Sequence, residues 1–477
     1  MKHVRNALVG IGLAGVLGLS LVADEGLREA SRTGLAKATD QLASIATEGG
    51  YLWRYRPDLG ERWGENQATV TQIWVQPPGT PAVGMALLEA HAATGDERYL
   101  VAAAGAARAL VRGQLASGGW AYLVEFDPEA RRKWAYRSDL DDPTAVPVGR
   151  RNVTTFDDNT TQAALRFLMT FLAASSEDPA GVRDPVRDAL DYGLRRMLEA
   201  QYPNGAWPQR YDGGPRDPAD FPVRPARTPA DWPRRWPKAD YSGYYTLNDQ
   251  SQRDCIETML EAARRLEDPR FLDAARRGGE FLILARLPEP QPAWAQQYNF
   301  AMEPAWARAF EPPAVCSNES VGAMGVLIEL FGETGEERLL EPLPAFIDWL
   351  QRSQLGPDRW ARYYELGTNR PLYGDRDGRL HYRLDAISEE RRRGYSWEGS
   401  YGIPAAIRLY ETVRREGRER ARVRRENRAD VPRPSETRVR RILEAQDEAG
   451  RWVTDGWIDM RTFAANIRTL AAFVRGD

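Results

Sequence analysis

Apolar positions recur at helical spacing through most of the chain, and short turns with Gly, Asp or Pro separate the periodic segments. Intervals of three and four residues with few β-branched runs predict pairs of amphipathic helices. The predicted pairs cover residues 81–93 with 97–115, 160–175 with 182–200, 249–266 with 270–286, and 321–331 with 337–352. Further single helices are expected over 27–46, 401–418 and 437–445.

A short pattern follows the second helix of several pairs: a Gln, a turn with Gly or Arg, and then a Trp. It ends at Trp120, Trp207, Trp360 and Trp452. Repeated hairpins that each leave one apolar face uncovered close into a toroid or stack as a solenoid. The pattern therefore predicts an all-α fold of repeated helical hairpins forming a partial α/α barrel or toroid, with long loops and a few short β-ribbons. The binding groove is expected at the loop end that bears the Trp turns.

Composition narrows the class of protein. The chain has 477 residues, 28% of them charged, with a net charge of −3, as expected of a globular protein with no field that favours nucleic acid. Residues 1–23 combine a basic start with an apolar run, which indicates a secretory signal peptide or, alternatively, an uncleaved anchor. Cys255 and Cys316 could pair, or be a buried thiol and a loop thiol.

The organisation expected from these signals is a series of four segments. They are a signal peptide over 1–23, N-terminal helical hairpins over 24–150, a catalytic region over 151–418, and a C-terminal extension over 419–477 that packs on the helices. A Pro- and Trp-rich insertion over 213–243 and a basic stretch after residue 414 are expected to be peripheral.

Residues 360–397 interleave arginines with Tyr and Trp between two helical segments. Arginine forks bind carboxylates bidentately and aromatic faces stack on sugar rings, so this stretch favours a groove for an acidic carbohydrate. The alternative is a solvated loop with scattered ion pairs.

Carboxylates also cluster just before two of the predicted helices, at Asp157 and Asp158 and at Asp249. Helix capping would explain some of them. At the mouths of two hairpins they would also suit a hard cation such as Ca²⁺, which takes oxygen ligands. Arg308 precedes another predicted helix, where pairing with an acidic neighbour such as Glu311 is the common reason for an arginine.

Together these segments resemble the pectate lyases of polysaccharide lyase family ten. The resemblance rests, in order, on TTFDDNTTQAALRFL, EAQYPNGAWPQRY, YYTLND, PAWAQQYN, PAWARAFEPP, SNESVGAMGVL, WARYYELGTNRPLYGDRDG and ERRRGYSW. These pieces lie between Thr154 and Trp397. Two departures are Asp158-Asn159, where the family has Asn-Gly, and Ala206, where a second Gly is usual.

The resemblance implies a Ca²⁺-dependent lyase that breaks polygalacturonate by β-elimination with an arginine base. Asp157 and Asp249 would bind the calcium and the substrate, with Asp158 beside them, Arg308 would be the base, and Arg376 would clamp a uronate. Further substrate contacts are expected from Arg370, Arg393, Asn248 and Trp207. An arginine base would need a cationic neighbourhood to lower its pKa.

Two other functions fit the residues less well. A glycoside hydrolase on an α/α toroid would use Asp157 or Asp158 as acid and Asp249 or Glu319 as base, without a metal. A non-catalytic uronate-binding protein would keep the groove alone. On the favoured interpretation the protein is secreted, acts as a monomer on an acidic polysaccharide, and binds neither nucleic acid nor, in its mature form, a membrane.

Overall fold

A computed structural model describes residues 8–174, 176–178, 181–214, 217–422 and 433–476, and only the backbone over 8–23. The first seven residues of the expected signal peptide lie outside the described residues, and the remainder begins a long first helix. Among the described residues, no helix combines the length and the apolar character that a bilayer crossing requires. Residues 423–432, within the basic stretch after residue 414, also lie outside the described residues.

Helices dominate the fold, and every predicted helix is present. In chain order the helices are α1 (Leu8–Ile45), α2 (Thr80–Thr94), α3 (Glu97–Gly113), α4 (Pro128–Arg131), α5 (Thr160–Ala174), α6 (Arg183–Ala200), α7 (Ser251–Leu266), α8 (Pro269–Ala285), α9 (Ser317–Thr334), α10 (Leu343–Arg352), α11 (Glu389–Gly394), α12 (Ile403–Glu416), α13 (Glu436–Glu444) and α14 (Met460–Arg475). Pro342 delays the start of α10, and a 3₁₀ turn takes the preceding residues Glu337–Leu339. The sequence analysis missed α14 and the two short helices α4 and α11.

The helices form two rows. In one row α14, α2, α5, α7, α9 and α12 contact each other in this order, and in the other α13, α1, α3 and α6 do so. The C-terminal hairpin α13–α14 therefore lies beside the N-terminal helices, with α14 between α1 and α2. The expected fold of helical hairpins in a partial α/α toroid is confirmed. The division of the chain at residues 150 and 418 stays a prediction.

The recurring Gln and Trp hold these rows together. Each repeat Trp is buried and donates its indole N–H to a main-chain carbonyl ten residues earlier, as Trp120 does to Leu110 and Trp207 to Met197. These carbonyls lie near the ends of the second helices, where helical partners run out. In three of the repeats the preceding Gln donates both to its own turn and to another helix. Gln446 reaches Gly34 at 2.9 Å and so joins the two ends of the chain.

Strands are short, as predicted, and the paired strands are antiparallel. They are β1 (Arg54–Tyr55), β2 (Arg62–Trp63), β3 (Gln72–Trp74), β4 (Leu123–Glu125), β5 (Thr154–Thr155), β6 (Arg210–Tyr211), β7 (Tyr245–Thr246), β8 (Gln297–Tyr298), β9 (Ala314–Cys316), β10 (Trp360–Ala361), β11 (Tyr363–Glu365), β12 (Pro371–Gly374), β13 (Leu380–His381), β14 (Glu398–Gly399), β15 (Val453–Thr454) and β16 (Trp457–Asp459). Two sheets have four strands, in the orders β15-β16-β1-β2 and β13-β12-β11-β9. The first sheet again joins the two ends of the chain.

One continuous apolar core extends along the helix rows from Leu27 to Val474, and a smaller one lies under the β9–β13 sheet around Phe310 and Trp397. Cys255 and Cys316 are both buried free thiols, so the structure contains no disulfide between them.

Candidate active site

Two turns with the same backbone conformation carry the acidic residues. A two-residue strand, a 3₁₀ turn and a helix follow one another at β5–α5 and again at β7–α7. Asp158 has φ 50° and ψ 34°, and Asp249 has φ 50° and ψ 33°. The next residues, Asn159 and Gln250, are also left-handed, with φ of 55° and 63°. Left-handed non-glycine residues cost about 1 to 3 kcal/mol each and concentrate at functional sites.

The two turns bring three carboxylates together. One oxygen each from Asp157, Asp158 and Asp249 lies within 4.8 Å of the others. The start of α7 contacts the first turn directly, because the Ser251 hydroxyl donates to the carbonyl of Phe156 at 3.1 Å. Asp158 and Asp249, rather than Asp157 and Asp249, occupy equivalent positions in the two turns, and Asn248 is the equivalent of Asp157.

Hydrogen bonds fix each carboxylate of this cluster on one side. Asp157 Oδ2 accepts from the Tyr122 hydroxyl at 2.8 Å and from Gln209 Nε2 at 2.9 Å. Its other oxygen, Oδ1, is buried and has no partner among the described residues. Asp249 Oδ2 accepts from Asn248 Nδ2 at 2.6 Å, and Asn248 Oδ1 is likewise buried without a partner. Buried polar atoms without partners are rare in folded proteins, and here both belong to oxygen ligands of the kind that Ca²⁺ takes.

The electrostatics of the cluster also favour a cation. Burial and then the carboxylates of Asp157 and Asp249 raise the pKa of Asp158 to about 8. Burial and then the charge of Asp157 raise the pKa of Asp249 to about 6, against the opposing effect of Arg308. A bound divalent cation would remove this repulsion, since an opposite charge nearby favours the ionised carboxylates.

Arg308 lies beside this cluster and is paired with Glu311. Its Nε donates to Glu311 Oε2 at 2.8 Å and its Nη2 to Oε1 at 2.5 Å. Glu311 is fully buried, and its Oε1 also accepts from the Tyr395 hydroxyl at 3.0 Å. Burial acts to lower the pKa of Arg308, but the hydrogen bonds and charge of Glu311 outweigh it and raise the pKa. The pairing with Glu311 therefore holds Arg308 as a guanidinium.

The predicted arginines of the 360–397 stretch lie in different environments. Arg376 lies over the ring of Phe310, 5.8 Å from its centroid, which places it near Arg308, and it pairs with Glu390 at 3.0 Å. Arg370 lies 3.9 Å over the ring of Tyr382. Arg393 is exposed and pairs with Glu389 on α11. Within the described part of the chain, no hydrogen bond or ion pair joins Arg370 or Arg393 to the carboxylate cluster.

Trp207 is not available as a substrate platform. Its side chain is 0% exposed, and its indole N–H is bound to the carbonyl of Met197. The expectation that it contacts the substrate is therefore wrong, because the same burial that makes it a structural element of the hairpin repeat keeps it from the surface.

The insertion over 213–243 is not peripheral, contrary to expectation. The indole N–H of Trp236 donates to the carbonyl of Ala307 at 2.8 Å, and that of Trp306 donates to the carbonyl of Pro233 at 2.7 Å. The backbone N–H of Trp236 also donates to Gly378. The insertion thus packs against the two residues directly before Arg308 and against the turn at Gly378.

A cavity of about 840 Å³ adjoins the cluster. Tyr122 and Thr155 line it and also contact Asp157. Arg151 and Arg210 line it too, together with aromatic rings that include Trp134 and Tyr244. The guanidinium of Arg151 lies 5.1 Å from the centroid of the Trp134 ring. Cationic and aromatic groups of this kind suit an anionic sugar next to the cluster.

Sequence reasoning missed the residues that support the cluster, although a signal for them exists. At several turns, the residue two positions after a Trp lies at the site. These residues are Tyr122 after Trp120, Gln209 after Trp207, Gln296 after Trp294 and Arg362 after Trp360. Gln76 stands in the same relation to Trp74 and donates to Asp158 Oδ2 at 2.8 Å. A Trp-x-polar pattern thus marks three of the turns whose side chains bond the cluster.

Comparison with known proteins gives one family. The family model described as pectic acid lyase matches residues 132–358 and 350–405, more than half of the 477-residue chain. No curated protein matches the chain. The expectation drawn from the sequence motifs is confirmed at the level of the family.

Solved structures of several activities resemble the chain distantly. One is a mutant family 10 polysaccharide lyase from Cellvibrio cellulosa in complex with trigalacturonic acid, with 21% identity, a TM-score of 0.47, and coverage of 70% of this chain and 98% of that one. A cellobiose 2-epimerase from Spirochaeta thermophila has 13% identity, a TM-score of 0.44, and coverage of 94% and 97%. An α-1,6-mannanase from a Salegentibacter species has 11% identity, a TM-score of 0.41, and coverage of 93% and 99%.

Proposed function

The chain belongs to the pectic acid lyase family, and from this membership we propose that it cleaves polygalacturonate by calcium-assisted β-elimination, with Arg308 as the base. The observation that carries the proposal is the convergence of Asp157, Asp158 and Asp249 with a buried, unpartnered carboxylate oxygen beside an arginine. Family membership also favours a lyase over the glycoside hydrolase and the non-catalytic binding protein.

The three carboxylates are the proposed ligands of Ca²⁺. Two separate turns supply them, each held in a left-handed conformation that the surrounding structure must maintain. Bound Ca²⁺ would neutralise the carboxylate of the sugar and so make its C5 proton easier to remove. Carboxylates that repel each other without a cation are suited to this task, because binding the cation relieves the repulsion.

Arg308 is the proposed proton acceptor. In β-elimination the C5 proton goes to the base, the C5–H electron pair forms the C4–C5 double bond, and the C4–O4 bond breaks. The leaving O4 then takes a proton from water. To act as base, Arg308 must first release a proton, and Glu311 Oε1 lies 2.5 Å from its Nη2, within reach of that proton. Burial favours the neutral guanidine, and the charge of Arg376 nearby acts in the same direction.

We propose that Arg376 and the cavity arginines Arg151 and Arg210 bind the carboxylates of the substrate. Arg376 would exchange its exposed partner Glu390 for a uronate carboxylate. An exposed ion pair of this kind contributes little, so the exchange costs little. Arg151 and Arg210 lie in the cavity next to Tyr122. Asn248 acts through Asp249, to which it donates a hydrogen bond, while Arg370 and Arg393 remain expected substrate contacts without a link to the cluster.

The polymer substrate implies action outside the cytoplasm, because a long polyanion does not cross a membrane unaided. We therefore expect a secreted, periplasmic or extracellular enzyme that acts as a monomer. The test of the proposed function is the product formed from polygalacturonate. An unsaturated uronate at the new non-reducing end, formed only when Ca²⁺ is present, supports the lyase. Saturated products, formed equally well in excess chelator, reject it in favour of hydrolysis.

A further inference from the structure

Two residues that precede the family-matched segment reach into the carboxylate cluster. The match begins at residue 132, whereas Gln76 and Tyr122 lie before it. Gln76 donates to Asp158 at 2.8 Å and Tyr122 donates to Asp157 at 2.8 Å. The N-terminal hairpins therefore contact two of the three carboxylates that the family segment contributes.

The orientation of the Gln76 amide is fixed by its surroundings. The indole N–H of Trp74 donates to Gln76 Oε1 at 3.0 Å. Because an indole N–H can only donate, the amide oxygen must face Trp74 and the amide NH₂ must face Asp158. The main-chain carbonyl of Gln76 is held as well, by the indole N–H of Trp53 at 2.8 Å. Gln76 is 6% exposed, so water does not compete strongly for these bonds.

Tyr122 has an equally defined role at Asp157. Its hydroxyl donates to Asp157 Oδ2, because an ionised carboxylate oxygen can only accept. Together with Gln209 it occupies Asp157 Oδ2 and leaves Oδ1 as the free oxygen. Tyr122 also lines the cavity next to the cluster. One side chain thus orients a carboxylate and shapes the space where substrate would lie.

We propose that the region before the family segment completes the active site, with Gln76 and Tyr122 as positioning residues that orient Asp158 and Asp157 for the cation. This inference rests on the proposed function, because it takes the cluster to be the calcium site. Partners of metal-binding carboxylates typically contribute about 10- to 100-fold in metal affinity. The family segment alone would then hold an incompletely oriented site.

The test is a calorimetric titration of the full chain with Ca²⁺, with and without trigalacturonate. The variants are Gln76→Leu, which removes the donor to Asp158, and Tyr122→Phe, which removes only the hydroxyl. Matched controls are Gln114→Leu and Tyr55→Phe. Gln114 donates to the carbonyls of Gly118 and Ala189, and the Tyr55 hydroxyl accepts from the Leu52 N–H, so both controls lose a buried hydrogen bond away from the cluster.

We expect Ca²⁺ affinity to fall about 10-fold or more in Gln76→Leu and in Tyr122→Phe, and to change less than about twofold in the controls. Melting temperature should fall in all four variants, so it does not decide the question. Ca²⁺ affinity equal to wild type in the folded Gln76→Leu and Tyr122→Phe proteins would overturn the inference and leave the proposed function standing. A wild-type protein that binds no Ca²⁺ under either condition would overturn both.

Discussion

Asp158 and Asp249 occupy the same position in two equivalent turns, each with a φ of 50° and each two residues before the start of one of the adjacent helices α5 and α7. Two hairpins of the repeat thus each contribute one carboxylate to the same cluster. A toroid of hairpins can build such a site because its successive helices contact each other and their starts lie side by side. The site is a consequence of the repeat.

Metal removal should abolish activity. Asp249→Ala and excess chelator should each reduce the rate on polygalacturonate at least about 100-fold, since a metal acting as Lewis acid contributes several kcal/mol. Added Ca²⁺ should restore the chelated wild type and not the variant. Asp385→Ala, which removes an exposed carboxylate paired with Arg383, is the control and should keep normal activity. A fully active chelated enzyme would exclude the metal role.

Substrate charge should decide the rate. De-esterified polygalacturonate should be cleaved faster than heavily methylated pectin, because a methyl ester cannot accept the bidentate hydrogen bonds of arginine. Arg376→Ala should raise KM on polygalacturonate and narrow the difference between the two substrates. Arg383→Ala, in the same stretch and exposed, should do neither. Equal kcat/KM on both substrates with the wild type would show that the arginines do not read the carboxylate.

Trp207 should matter for stability alone. Trp207→Phe keeps an aromatic ring and loses the hydrogen bond to Met197, and Trp120→Phe loses the equivalent bond to Leu110. Each should lower the free energy of unfolding by about 1 to 3 kcal/mol, because a buried carbonyl loses its partner, with KM unchanged. Denaturant unfolding and steady-state kinetics measure both effects. A raised KM confined to Trp207→Phe would restore its predicted place at the substrate.

Asp254 gives a pH dependence with a defined sign. Burial raises its pKa to about 6. Arg166, whose Nη2 lies 4.0 Å from Asp254 Oδ1, opposes the shift. A carboxyl whose pKa is higher in the folded protein than in the unfolded chain takes stability away as pH rises from about 4 to about 6. The Asp254→Asn variant does not lose stability in this way, because asparagine does not ionise. Relative to wild type, its free energy of unfolding should improve by about 2 to 3 kcal/mol between pH 4 and pH 7. A difference that does not change with pH would contradict the assignment.

The sequence predicts the helices well because each has a periodic apolar face and a clear end. It also places the acidic residues correctly, since Asp157, Asp158 and Asp249 stand at predicted helix starts. It misassigns Trp207, because one residue type serves both helix packing and sugar stacking and only burial separates the two. The missed helix α14 has a periodic apolar face as well, so the sequence does carry a signal for it. The short sheet before it joins residues more than 390 positions apart, and a local pattern carries no information on that contact.

The support of the cluster was harder to predict for the same reason. Gln76 and Asp158 are separated by 82 residues, and Tyr122 and Asp157 by 35. The Trp-x-polar pattern places these residues at the turns. Which carboxylate each one binds is determined only by the packing of the hairpins side by side. The composition of the insertion over 213–243 indicates a peripheral segment, whereas its two contacts with the Arg308 loop depend on tertiary packing.

Arg308 is the residue on which the account of the chemistry depends, and its variants separate chemistry from binding. Arg308→Ala and Arg308→Lys should both lose about 10² to 10⁴ in kcat, because a general base contributes in that range and lysine has a different reach. KM should change little, since the metal and Arg376 still hold the substrate. Arg383→Ala is the control for removing an exposed, paired arginine.

The most direct measurement is the single-turnover rate at which Arg308→Ala forms unsaturated product from polygalacturonate at saturating Ca²⁺. The melting temperature of the variant is measured alongside. The account predicts a folded protein that binds substrate and Ca²⁺ and forms the double bond at least about 100 times more slowly than wild type. If Arg308 serves only as the structural partner of Glu311, the variant will instead melt at a lower temperature and turn over at a near-normal rate. That result would contradict the assignment of Arg308 as the base.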